Sequence, residues 1–133
     1  MSTKTASLIF GLAFLAVGIL GYFSNPIISY SDDALFHTDS LHNIIHIVSG
    51  VLFLLFAFAA PANTGTFLKV FGTVYLLLGI AGLLTIGDDE HIKLLGFLLV
   101  NNADNYLHIG LGAAILLAGF LPGINATVAS RTV

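Results

Sequence analysis

His42-Asn43-Ile44-Ile45-His46-Ile47-Val48-Ser49-Gly50 and Asp104-Asn105-Tyr106-Leu107-His108-Ile109-Gly110-Leu111-Gly112 carry one pattern twice. Each sets Asn, His and Gly at i, i+3 and i+7. Each places a metal-ligating residue type directly before the Asn, His42 in one and Asp104 in the other, and each opens a long apolar run. Asn and His are costly to bury in hydrocarbon. The same costly pattern twice predicts a two-fold pseudo-symmetric polar site inside a membrane protein.

Composition supports the membrane setting. Of 133 residues, 57% are hydrophobic and only 8% charged, and the mean hydropathy is +1.00. A soluble domain carries about 25% charged residues, so most of this surface must face lipid. A bilayer-spanning helix takes about 20 apolar residues, and four runs approach or reach that length: 6–23, 41–60, 67–86 and 103–121. Pro26, Pro61 and Pro122 each stand just past a run, where they end helices without breaking them. The first run is longer than the apolar core of a signal peptide and no small-x-small cleavage site follows it, so it reads as a retained helix. There is no cysteine, which excludes disulfides, thiolate metal ligation and thiol chemistry.

The charges separate by side. Four helices place both termini and the 61–66 connection on one face, with Lys4, Lys69 and Arg131 and no acidic residue. The other face takes Asp32, Asp33, Asp39, Asp88, Asp89, Glu90 and Asp104, with Lys93 its one base. The positive-inside rule then makes the termini cytoplasmic. His37, His42, His46, His91 and His108 fall on or near the acidic, outer side.

The repeat extends beyond the motif. Phe10, Gly11, Phe14, Gly18 and Gly21 recur as Phe71, Gly72, Tyr75, Gly79 and Gly82; Asn43, His46, Gly50 and Phe58 recur as Asn105, His108, Gly112 and Phe120. The chain reads as one transmembrane domain over 1–133, an all-α four-helix bundle built from two tandem helical hairpins, about 6–60 and about 67–121. Both hairpins start on the cytoplasmic side, so their pseudo-two-fold axis runs along the membrane normal. The glycine stripes mark close helix contacts, because small residues let backbones approach in lipid. In the second outer connection, residues 92–100 are apolar but too few to span. They are expected to lie in the interface or fold back as a short lid over the outer end.

Residues four apart on a helix share a face, so His42 pairs with His46 and Asp104 with His108. If their helices face a common centre, three imidazoles and a carboxylate converge, a donor set that suits a transition metal, Zn or Cu above all. Asn43 and Asn105 are placed to orient the histidines, and Asp39 to support them from the loop, as residues around a metal site commonly do. A second reading makes the Asn–His pairs an interhelical hydrogen-bond network in a structural or accessory subunit of a larger membrane complex or homo-oligomer. In that reading Asp104 and either Asp39 or Ser40 serve as helix caps. A third reading uses His46 and His108 as axial ligands of a haem or other tetrapyrrole. No nucleophile elbow, phosphate loop or nucleic-acid motif is present, so the residues point to no enzyme reaction and no nucleic-acid partner.

Phe10-Gly11, His42-Asn43-x-x-His46, Phe71-Gly72-x-x-Tyr75 and Asn102-Ala103-Asp104-Asn105-x-x-His108 together resemble a bacterial family of small four-helix membrane proteins known only as a domain of unknown function. The resemblance covers about residues 8–121. It implies a multi-pass protein of the bacterial inner (plasma) membrane and supplies no activity, ligand or partner.

Overall fold

The computed structural model describes residues 1–31 and 33–123; Asp32 and Arg131, which enter the charge pattern, lie outside the described residues. Four helices dominate: α1 (Thr3–Leu20), α2 (Ser40–Ala59), α3 (Thr64–Ile86) and α4 (Asn102–Ala118). Two short strands, β1 (Ile28–Ser29) and β2 (Phe36–His37), lie between α1 and α2. Two longer ones, β3 (His91–Leu94) and β4 (Leu98–Asn101), lie between α3 and α4.

Local chemistry sets the helix ends. The Ser2 hydroxyl accepts from the Thr5 N–H and starts α1, so the helix begins earlier than its apolar run. Asp39 caps α2 by accepting from the His42 N–H at 2.8 Å. Pro61 ends α2 and opens a 3-10 turn, Pro61–Asn63, that leads into α3. Gly87, with φ of 55°, ends α3. Asn101 and Asp104 form a reciprocal capping box at the start of α4. Pro122 disfavours a helical residue before it, and α4 ends at Ala118 rather than continuing through its apolar run to 121.

The segments Thr3–Leu20, Ser40–Ala59 and Pro61–Ile86 are long and apolar enough to cross a membrane. Helix α4 is 17 residues long, about 25 Å at 1.5 Å per residue. The surface carries the apolar groups: Leu84 is 81% exposed, and Leu117, Phe120 and Phe58 also face outward. The interior holds polar ones, with His42, Asn43, His46, Asp104, Asn105 and His108 all buried. This inversion of the water-soluble pattern is that of a membrane bundle.

Glycine sets the packing of α1 on α2 and of α3 on α4. A Cβ on Gly18 would press on the Asn43 carbonyl and Ile47, and one on Gly79 on the Asn105 carbonyl and Ile109. Gly11 backs onto Gly50, and Gly72 onto Gly112. Phe14 of α1 sits edge-on to Phe71 and Tyr75 of α3, joining the two hairpins. An aromatic core of Phe14, Phe53 and Tyr75, with Phe10, Phe67 and Phe71 at its margin, fills the half of the bundle nearer the termini.

The end of the bundle away from the termini is closed by the loops. Strands β1 and β2 pair in parallel through Ile28↔Phe36 and Ser29↔His37. Residues 92–100, expected as an interfacial or lid segment, fall within an antiparallel hairpin registered His91↔Asn101 through Leu94↔Leu98. Its Leu94, Leu98 and Val100 are buried and pack against Ile45, Leu78 and Ala81. Pairing satisfies the backbone of a segment too short to span as a helix.

Candidate metal centre

Three histidines, two on α2 and one on α4, meet across the bundle under the hairpin. One nitrogen from each of His42, His46 and His108 lies within 4.8 Å of the others. The rings are 4.5 Å (His42–His46), 5.8 Å (His42–His108) and 6.5 Å (His46–His108) apart between centroids. Tetrahedral Zn–N bonds of about 2.0–2.1 Å put ligand nitrogens about 3.4 Å apart, closer than the 4.8 Å that bounds this set.

Hydrogen bonding defines the state of His42. Its Nδ1 lies 2.7 Å from the Leu99 carbonyl of β4. A carbonyl only accepts, so Nδ1 carries the proton and Nε2 presents a lone pair. That Nε2 is buried with no hydrogen-bond partner, as are Nδ1 of His46 and Nδ1 of His108. Tyr75 reaches the second histidine, its hydroxyl 3.4 Å from His46 Nε2, and its ring packs 4.3 Å from that of His108. Phe14 takes the other side of His46, edge-on at 5.6 Å.

The remaining sequence-predicted residues are placed differently. Asp104 stays out of the histidine cluster. Its carboxylate accepts from the Asn101 N–H at 3.0 Å and from the His37 backbone N–H, so it serves the start of α4 and ties it to β2. The cap residue itself is Asn101, three positions earlier. Asn43 and Asn105, expected to orient the histidines, instead fill the space over Gly21 and Gly82, where a Cβ would collide with their Oδ1 atoms. Neither amide nitrogen nor oxygen of Asn105 has a partner, nor does Asn43 Oδ1. Asp39 supports His42 through the backbone as the α2 cap. His37 and His91 stack on each other at 5.0 Å, joining the two outer loops away from the cluster.

Sequence reading missed Tyr75 and the Leu99 carbonyl. The first had a signal: within the repeated pattern Phe14 is replaced by Tyr75, a single added hydroxyl. A backbone carbonyl carries no such signal.

A cavity of about 180 Å³ adjoins the three histidines and runs down between α2 and α3. A smaller one of about 50 Å³ lies between α1 and α4, touching His46 and Tyr75 from the other side.

No curated protein and no solved structure matches the chain. A family model described as a domain of unknown function, DUF4383, matches residues 4–121, and the chain belongs to that family.

Proposed function

We propose that this is a metal-binding membrane protein in which His42, His46 and His108 hold one transition ion, Zn²⁺ or a copper ion. The observation that carries this reading is the cluster of three buried imidazoles, one nitrogen of each within 4.8 Å of the others, on rings that each keep one buried nitrogen without a hydrogen-bond partner. Each partnerless buried polar atom costs about 1–3 kcal/mol, and a metal ion satisfies such lone pairs together. The His42 arrangement also supports it: a ring whose Nδ1–H is held by a backbone carbonyl turns its Nε2 toward an ion. Three protein ligands leave a fourth position open.

The interhelical-network reading has less support, because the amide of Asn105 bonds to nothing. A tetrapyrrole fits poorly as well. The space beside the histidines, about 180 Å³, is below the roughly 300–1,000 Å³ of sites for drug-sized ligands.

The same proposal sets the chain in a bacterial inner membrane with cytoplasmic termini. Lys4 and Lys69 stand at the end near the termini, and Asp33, Asp39, Asp88, Asp89 and Glu90 at the end holding the site. We read the two hairpins as copies of one unit, related by an axis along the membrane normal. The corresponding contacts support this: Gly18 meets Asn43 and Ile47 as Gly79 meets Asn105 and Ile109, and Gly21 meets the Asn43 side chain as Gly82 meets that of Asn105.

The test is metal analysis of protein purified from membranes, with His46→Ala and His108→Ala beside the wild type. One ion per chain is expected in the wild type, with loss in each variant. Stoichiometric metal retained in the double variant, or a metal-free wild type after growth in zinc and copper, would overturn the reading.

A further inference from the structure

The cavity beside the histidines has a floor, a roof and an open side. Its lower end is formed by Ser49 of α2 and Phe71 of α3, near the middle of both helices. Its roof is Leu98, part of the buried hairpin cluster that closes the outer end. Between them Ile45, Val74 and Leu78 line the gap separating α2 from α3. Val74 is 52% exposed, and Ile45, Phe71 and Leu78 are half-buried. The mouth therefore opens sideways at the level of the hydrocarbon, while the hairpin covers the end facing water.

We infer that this cavity is a binding site for a small, uncharged, lipid-soluble molecule carrying one hydroxyl on a single ring, of the phenol class, which enters from the bilayer. The size fits: an apolar cavity of about 150 Å³ accepts benzene, and this one measures about 180 Å³. The polarity fits as well. The lining is apolar apart from Ser49 at the lower end and, at the polar end, Tyr75 and the three histidines. A ring with one hydroxyl matches apolar wall with apolar body and sets its oxygen toward that polar end. A charged molecule would pay its desolvation on leaving water for the bilayer, before it reached the mouth. The inference deepens the metal reading, since the oxygen would take the coordination position that three histidines leave open.

The test uses full-length protein in nanodiscs, with para-fluorophenol as the probe followed by fluorine NMR, and empty nanodiscs as the lipid reference. Metal content is measured on the same samples. Two variants address the pocket. Ser49→Phe fills its lower end, and Val74→Trp obstructs its mouth from an exposed position where folding is not at stake. A protein-bound probe signal is expected in the wild type. Its affinity should fall about tenfold or more in both variants, with metal content unchanged. No bound signal in the wild type, or wild-type affinity in both variants, overturns the pocket. Saturable probe binding by a wild type that contains no metal overturns the metal reading and leaves the pocket standing.

Discussion

The Nδ1–H of His42 donates to the carbonyl of Leu99 across 2.7 Å, joining the first turn of α2 to the second strand of the outer hairpin. Residues far apart in the chain thus share the task of presenting one lone pair. The hairpin is both the roof of the site and the group that fixes the tautomer of a proposed ligand.

Replacing residues 94–98 with a flexible Gly/Ser segment should therefore weaken metal binding even though no ligand is touched. The expected loss is about 10–100-fold, the usual effect of removing a partner that orients a metal-bound histidine. Competition with a chromophoric chelator measures it. Unchanged affinity would show that the Leu99 carbonyl does not organise His42.

Asp104 provides the sharpest separation between ligand and cap. Its carboxylate receives two backbone N–H groups, from Asn101 and His37. Asp104→Asn should lower stability by about 1–2 kcal/mol and leave one metal ion per chain. Thermal unfolding and metal analysis on the same preparation decide it. Loss of metal with unchanged stability would return Asp104 to the ligand set.

Tyr75 approaches His46 at 3.4 Å, a long distance for a hydrogen bond to a ring nitrogen. Tyr75→Phe should accordingly retain metal and change stability by less than about 1 kcal/mol. Phe14 occupies the matching place in the first hairpin with no hydroxyl and still packs on His46. A copper-loaded wild type with a phenolate charge-transfer band that vanishes in this variant would make Tyr75 a ligand instead.

Helices and glycine contacts were legible in the sequence because lipid leaves few alternatives. An apolar run with terminal prolines and caps must satisfy its backbone internally, and glycines recurring at helical spacing mark the close faces. His42, His46 and His108 were legible for the same reason: polar residues recurring in apolar helices have to face inward. Three features were not. Asp104 follows the ligand spacing of His42, yet Asn101 three residues earlier draws it into a capping box, and local backbone bonds outweigh distant ones. The hairpin lacks the usual Asn-Gly or Asp-Gly signal. Its turn places Leu95 at φ of 55° beside Gly96 at 85°, and leucine gives no hint of a left-handed conformation. The asparagines looked like partners for histidine because they stand one turn away, but glycine at positions 21 and 82 opened a nearer space for them.

That last relationship yields a coupled prediction. Asn105 is fully buried and its Oδ1 lies where the Cβ of residue 82 would be. Gly82→Ala forces the fully buried Asn105 side chain away from the space it fills. The single substitution should lower the melting temperature clearly, whether or not metal is present. Asn105→Ala removes the colliding atoms along with an amide that bonds to nothing, so Gly82→Ala should cost far less in its background. The expected interaction energy falls at the upper end of the 0.5–3 kcal/mol range for residues in contact, about 2 kcal/mol. Gly21 and Asn43 should give a cycle of the same sign, since a Cβ on Gly21 meets Asn43 Oδ1 in the same way. Additive effects in both cycles would mean that the glycines are not there to seat the asparagines. Additivity in one cycle alone would show that the two hairpins, though alike in sequence, do not rely on this contact equally.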